Sequence, residues 1–376
     1  MPPPGPPACR PEPWRTGEPP DFAGPWAEAA LRAALVPALT PRRWRRFVDR
    51  RGDPAAFARG DAAEIGRALG IGPGEARALG RDLERADPWR EAERAAAAEI
   101  AILPWGSPPY PAPLTHLADP PPVLFARGAL LPCDARAIAV IGSRRATPYG
   151  LRVARAIAGD LARAGVTVVS GLALGIDAVA HGAALLAGGR TVAVLGSGLL
   201  NPYPTDHLGL LEEIAATGAV LSEFPLRAAP LRRHFPQRNR LIAALSLGTL
   251  VVEASPTSGA LGTVRHALDL GRAVMAVPGP VDEACSLGTL RLLQEGAAAV
   301  GAATDVFAAL GWCAHAPSSL PDAERRVLEA LGQGGATPLE AAAALGITEE
   351  AAAGHLVTLE IRGLVAREEG GRYMIP

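Results

Sequence analysis

Between residues 137 and 277, short apolar runs rich in β-branched side chains alternate with longer stretches of helical spacing. The runs fall at 137–141, 166–169, 191–195, 219–221, 249–252 and 273–277. The helical stretches occupy 149–164, 177–187, 205–216, 237–246, 260–270 and 287–295. Runs of this kind are buried on both faces, and their alternation with helices predicts an α/β domain built on a doubly wound parallel sheet. Right-handed crossovers gather the strand-to-helix loops along one edge, and function is sought there.

The pattern changes on either side. From Trp26 to Glu99 the chain is Ala/Leu/Arg-rich with helical periodicity, which predicts four or five short helices with turns at Asp53-Pro54 and across 70–74. Residues 69–76 have the shape of a helix-hairpin-helix turn, or of an ordinary glycine-capped turn between helices. Residues 1–20 are proline- and glycine-rich and predict a disordered tail. The sheet signal ends after 305–310, and 311–321 reads as a linker. Helices at 322–332, 337–345 and 348–363, then a hairpin at 365–374 around Gly370-Gly371, predict a winged helix-turn-helix. The expected domains are therefore a tail (1–20), a helical domain (21–99), a sheet domain (100–310), a linker and a winged helix (322–376).

The 376 residues carry 37 Lys+Arg and 38 Asp+Glu for a net charge of −1, so any nucleic-acid site must come from local clustering. Every cation is arginine, and no lysine is present. Its absence excludes a phosphate loop ending in Gly-Lys-Ser/Thr, a Schiff-base enzyme and a lysine-dependent kinase. Cys9, Cys133, Cys285 and Cys313 form no C-x-x-C pair, which argues against a zinc site or a disulfide framework. No metal and no cofactor is expected. The start lacks a secretory pattern and no apolar run reaches the ~18 residues of a membrane span, so a cytoplasmic protein without membrane contact is expected.

Several loops at the expected edge carry candidate chemistry. After the first run comes Ile141-Gly142-Ser143-Arg144-Arg145, where glycine permits close backbone approach and Arg144 offers a fork for a phosphate. It is not G-x-G-x-x-G, so a dinucleotide site is disfavoured. After the second run, Ser170, Gly171 and Gly175 again admit a ligand. Asp177 and His181 invite an acid/base reading, against which stands an N-cap aspartate with a packed or exposed histidine. Residues 226–240 hold Arg227, Arg232, Arg233, Arg238 and Arg240 with Phe235 among them, and no acid occurs between Glu223 and Glu253. Charge for a backbone and a ring for a base are what a single-strand groove requires. Ser258, Gly259 and Thr263 mark a further possible phosphate cradle, and Glu253 is placed to orient an arginine.

Eight strings in order, YPAPLTHLADPPPVLFARG (110–128), AVIGSRRATPYG (139–150), VVSGLALGIDAVAH (168–181), GGRTVAVLGSGL (188–199), SEFP (222–225), HFPQRNRLIAALS (234–246), SGALGT (258–263) and GRAVMAVPG (271–279), resemble the DNA processing protein A (DprA/Smf) family. The resemblance spans about 22–376. It implies an extended Rossmann domain flanked by an N-terminal SAM-like helical domain and a C-terminal winged helix. It further implies a homodimer through the Rossmann domain that protects incoming single-stranded DNA, hands it to the RecA recombinase during transformation, and catalyses no reaction. The site it implies comprises Gly142, Ser143, Arg144, Ser170, Gly171, Phe235, Arg238, Asn239, Arg240, Ser258 and Gly259. Arg144 and Arg240 are expected on phosphates and Phe235 on a base.

Some positions depart from the family pattern. Leu226-Arg227-Ala228 follows SEFP in place of Gly-Thr, Leu290 replaces an asparagine, and the turn at 36–40 lacks glycines, which argues against DNA binding by the helical domain. The expected recognition helix begins Thr348-Glu349-Glu350 and reaches no arginine before Arg362, so phosphate is repelled there. A contact with protein or with its own core is expected instead, and a duplex-reading regulator is disfavoured. The remaining alternative is a nucleotide phosphoribohydrolase of the LOG-like Rossmann group. Its P-G-G-x-G-T-plus-glutamate signature is met here only by 257–265, with Val264 and Arg265 where an acid is needed.

Overall fold

The computed structural model describes residues 25–51, 62–107, 110–312, 322–331, 335–361, 365–367 and 371–374. The expected tail, the Asp53-Pro54 turn, Gly370 and all but the start of the 311–321 linker lie outside them. The chain divides into two compact units, Met1–Cys313 and Ala314–Pro376.

The first unit opens with helices α1 (Pro25–Leu35), α2 (Pro41–Arg51), α3 (Ala62–Leu69), α4 (Pro73–Arg85) and α5 (Pro88–Ala97). The turn between α3 and α4 is a glycine-capped one. Gly70 has a φ of 66°, its N–H donates to Arg67 O (3.2 Å), and the Ile71 N–H donates to Gly66 O (3.1 Å). These are the two bonds of a Schellman cap.

Strands β1 (Ala101–Pro104), β2 (Val123–Gly128), β3 (Ala137–Ile141), β4 (Thr167–Ser170), β5 (Thr191–Val194), β6 (Ala219–Ser222), β7 (Gly248–Val251), β8 (Ala273–Ala276) and β9 (Ala298–Ala299) form one sheet, ordered β1-β2-β6-β5-β4-β3-β7-β8-β9. Every pair from β6 to β9 is parallel, and β1 and β2 add an antiparallel margin. The six expected strands are present, with ends shifted by a residue or two. β1, β2 and β9 are additional.

In β3 the side chains of Ile138 and Val140 enter the core of one face, and those of Ala137, Ala139 and Ile141 enter the other. Burial on both sides is why the strand reads as an unbroken apolar run. The first face is covered by α7 (Pro148–Arg163) and α8 (Ile176–Leu186), with α9 (Leu208–Thr217) further along and α13 (Ala303–Ala309) at the far end. The second carries α6 (Ala112–Thr115), α10 (His234–Leu245), α11 (Ala260–Asp269) and α12 (Leu287–Gln294). The helical region shares a core with the sheet, since Leu31, Trp44 and Ile65 belong to the cluster of Val123 and Phe125. The chain runs outward from β3 through β4, β5 and β6, then crosses back to β7 on the other side of β3 and runs outward again to β8 and β9. The loops after β3 and β7 therefore diverge and open a crevice at the carboxyl edge.

The second unit holds α14 (Asp322–Leu331), α15 (Pro338–Leu345) and α16 (Glu349–Ile361), and the antiparallel pair β10 (Ala366–Arg367) and β11 (Tyr373–Met374). Ala352, Leu356 and Leu359 of α16 pack into a core with Val327, Leu331 and Tyr373, while Glu349 and Glu350 face solvent.

Candidate functional site

The carboxyl ends of β3 to β8 gather the loops singled out in the sequence, and α10 begins beneath them. Pro236 is tolerated in the first turn of α10, where an N–H has no partner to lose, so the helix starts at His234 and carries Phe235 to the edge. Arg144, exposed in the loop after β3, lies over the Phe235 ring with Cζ 5.2 Å from its centroid. Ser143, half-buried, accepts through Oγ from the Arg145 N–H (3.1 Å). Arg145, Arg227, Arg232 and Arg233 are also exposed, and among the described residues no carboxylate pairs with them or with Arg144.

The other two arginines of the 226–240 run are inside. Arg238 is 3% exposed and donates to the carbonyls of Gly171 (2.8 Å) and Val194, tying the ends of β4 and β5 together. Burial pushes its pKa down to about 10, against the favourable field of Asp177. Arg240 is 3% exposed and holds Glu223 through two bonds (3.1 and 2.7 Å), with a third donated to the Asp119 carbonyl (3.1 Å). A guanidinium committed in this way has no free fork for a phosphate, so Arg240 is a strut of the edge and Arg144 the solvent-facing cation. Asn239 accepts from Arg238 Nε (3.3 Å) and donates to the Gly259 carbonyl (3.2 Å), which joins α10 to the loop after β7.

Ser170 is fully buried and donates to the Val140 carbonyl (2.7 Å), and Gly171 is buried beside it. Gly142 is half-buried at the end of β3, and in the loop after β7 Ser258 is half-buried and Gly259 exposed. The structure thus brings Gly142, Ser143, Arg144, Phe235, Asn239, Ser258 and Gly259 to the accessible edge. Ser170, Gly171, Arg238 and Arg240 lie beneath it.

The quieter reading of Asp177 and His181 holds in part: the histidine is packed, but α8 is capped at Gly175 without a side-chain bond, so Asp177 is not its cap. Asp177 accepts from the N–H groups of Gly171 (3.2 Å) and Ala173 (3.4 Å), shaping the loop after β4, and burial raises its pKa. His181 has no exposure; Thr191 Oγ1 donates to the Val168 carbonyl (2.7 Å), so it accepts from His181 Nδ1 (2.6 Å). Burial lowers the histidine pKa to about 3, which keeps the ring neutral. Among the described residues Glu253 orients no arginine. It is 2% exposed and accepts from Thr147 through both its backbone N–H (2.9 Å) and its hydroxyl, at the positive end of α7. The partners Glu223 and Asp119 were not singled out as site residues, although the acid immediately before the arginine run was a signal for the first.

A family model described as DNA recombination-mediator protein A matches residues 101–311, more than half of the chain. The chain belongs to that family. The chain is 39% identical to the DNA processing protein DprA of Bacillus subtilis over 236 residues, which is 62% of this chain and 80% of that one. It is 44% identical over 246 residues to a putative DNA processing protein DprA of Mycobacterium tuberculosis, of which the chain spans 63%. Among solved structures it is similar to DprA of Streptococcus pneumoniae, with a TM-score of 0.65 and 30% identity over 76% of this chain and 97% of that chain. DprA of Helicobacter pylori, solved to describe its single-stranded DNA binding mode, gives a TM-score of 0.51 and 31% identity over 56% and 95%. The resemblance read from the eight strings is thereby established, and with it a role in DNA processing.

Proposed function

We propose that this protein binds single-stranded DNA along the carboxyl edge of its sheet, by non-covalent contacts alone. The observation that carries the reading is the set of exposed guanidiniums at Arg144, Arg145, Arg227, Arg232 and Arg233, unpaired with acids among the described residues, with Arg144 seated on Phe235. Free guanidiniums supply the sequence-independent attraction to phosphate, and an adjacent ring supplies a surface for unpaired bases. The relative whose structure describes single-strand binding supports the same reading. In it, Arg144 grips phosphate from the loop after β3, with Gly142 and Ser143 beside it. Ser258 and Gly259 face the strand across the crevice, and Asn239 fixes that loop. Arg238 and Arg240 hold the edge in shape from within.

The rest of the reading rests on the family resemblance. The strand is protected and passed to the RecA recombinase, and the protein works as a homodimer through the sheet domain. The α1–α5 region is a SAM-like module and the second unit a winged helix. Fluorescence anisotropy of a labelled oligo-dT and of a duplex of equal length, across a salt series, tests the central step. A salt-dependent preference for the single strand that is lost in Arg144→Ala is expected. Equal or absent binding overturns the reading.

A further inference from the structure

Phe235 is the ring of the basic run, but much of its surface is already occupied. The Arg144 guanidinium covers it at 5.2 Å, and its edge rests on Gly196, where an added Cβ would sit 2.7 Å from Cδ1. The Tyr203 ring packs edge-on against it, with centroids 5.9 Å apart and planes inclined by 62°. Of the two aromatic rings, Tyr203 is the one turned to solvent, with 45% of its surface exposed. An isolated exposed tyrosine is ordinary, but this one sits on a held loop.

Three ties fix the segment between β5 and α9 against neighbouring loops. Gly198 N–H donates to the Ala228 carbonyl (3.0 Å), Leu200 N–H to the Leu226 carbonyl (2.7 Å), and His207 Nδ1 to the Leu172 carbonyl (3.0 Å). The first two bind it to the loop that carries Arg227, so the ring lies on a segment joining the Phe235 side to the basic loop. Arg144, Phe235 and Tyr203 thus form a continuous cation–ring–ring strip, and Tyr203 presents its ring at low conformational cost because its seat is already built.

We infer that Tyr203 is a base-stacking residue of this edge and that Phe235 serves chiefly as the seat on which Tyr203 and Arg144 rest. The inference deepens the single-strand reading above and rests on it. Stacking of one base on an exposed ring changes affinity severalfold to a hundredfold, without regard to sequence. Phosphate contacts are unaltered by removal of a neutral ring, so the salt dependence is unaltered too. Removing Phe235 acts differently, since Arg144 loses its seat together with the ring.

The test measures oligo-dT anisotropy across a salt series for wild type, Tyr203→Ala, Tyr203→Phe, Phe235→Ala and Arg144→Ala. Wild-type protein is also photocrosslinked to an oligonucleotide bearing 5-iododeoxyuridine, and the adduct is mapped by mass spectrometry. Tyr203→Ala is expected to weaken binding roughly five- to a hundredfold at unchanged salt slope, and Tyr203→Phe to restore it. Phe235→Ala is expected to weaken binding and flatten the slope, and the crosslink to fall on Tyr203. Loss of affinity in Arg144→Ala with full affinity in Tyr203→Ala and no crosslink to Tyr203 overturns the inference and leaves the single-strand reading standing. Tight oligo-dT binding unaffected by Arg144→Ala and Tyr203→Ala alike overturns the placement of the strand and this inference with it.

Discussion

Arg238 and Arg240 sit two residues apart on α10, about 200° around the helix axis, so they leave it on different sides. One reaches the carbonyls at the ends of β4 and β5, the other a carboxylate at the end of β6. Removing one partner of a buried pair leaves an uncompensated charge. Arg240→Ala is therefore expected to lower stability by about 3–5 kcal/mol in denaturant unfolding, and the double change Arg240→Met with Glu223→Leu to recover most of that loss. Arg144→Ala, at an exposed site, is expected to cost below about 1 kcal/mol. His181 gives a pH signature. Its folded pKa is depressed to about 3 from an ordinary 6.5, so the unfolded chain takes a proton that the folded one refuses. Its contribution is intact above about pH 6.5 and is lost as the pH falls toward 3, at up to ~1.4 kcal/mol per pH unit. His181→Gln is expected to flatten that limb of the stability curve, as measured by thermal unfolding across the same range.

At the scale of elements, the meeting of β7 and α7 shows how tightly the edge is assembled. Glu253 fills the space a side chain on Gly150 would need, because an added Cβ would strike its carboxyl group. Gly150→Ala is expected to displace Glu253 from Thr147 and lower stability by about 1–3 kcal/mol, again by denaturant unfolding. Six of the seven parallel strands were legible because burial on both faces leaves one apolar run per strand. The margin was not legible. β1 ends in Pro104 and β2 follows Pro120, Pro121 and Pro122, so a proline-dense segment reads as loop although an outermost strand tolerates proline. The position of the candidate site was legible for the same reason as the strands, since the loops after them share one edge. Which arginines of 226–240 face solvent was not, because Asp119 lies over a hundred residues from the run and sequence spacing carries no sign of that contact.

For the whole molecule, a net charge of −1 conceals a local excess of free guanidiniums at one edge. If about four of them neutralise phosphates on a single strand, the logarithm of affinity falls with the logarithm of salt at a slope of about −3. Anisotropy titrations between low and physiological salt are expected to return that slope. The second unit exposes Glu349 and Glu350 at the start of α16 and spends the apolar side of that helix on its own core. A chain ending at Cys313 is therefore expected to bind oligo-dT within about threefold of the full chain, since acids at that helix start repel phosphate.

One bond ties the helical region to the basic loop directly at its start: the Leu226 N–H donates to the buried carboxylate of Glu91 on α5 (2.7 Å). Leu226 itself is fully enclosed in the core that α1 to α4 share with the sheet. Arg227 therefore starts from a backbone position that the helices set. Thermodynamic reciprocity follows: whatever free energy a bound strand spends in moving Leu226 also loosens the docking of α5, and a ligand that tightens that docking favours the strand-bound loop by the same factor.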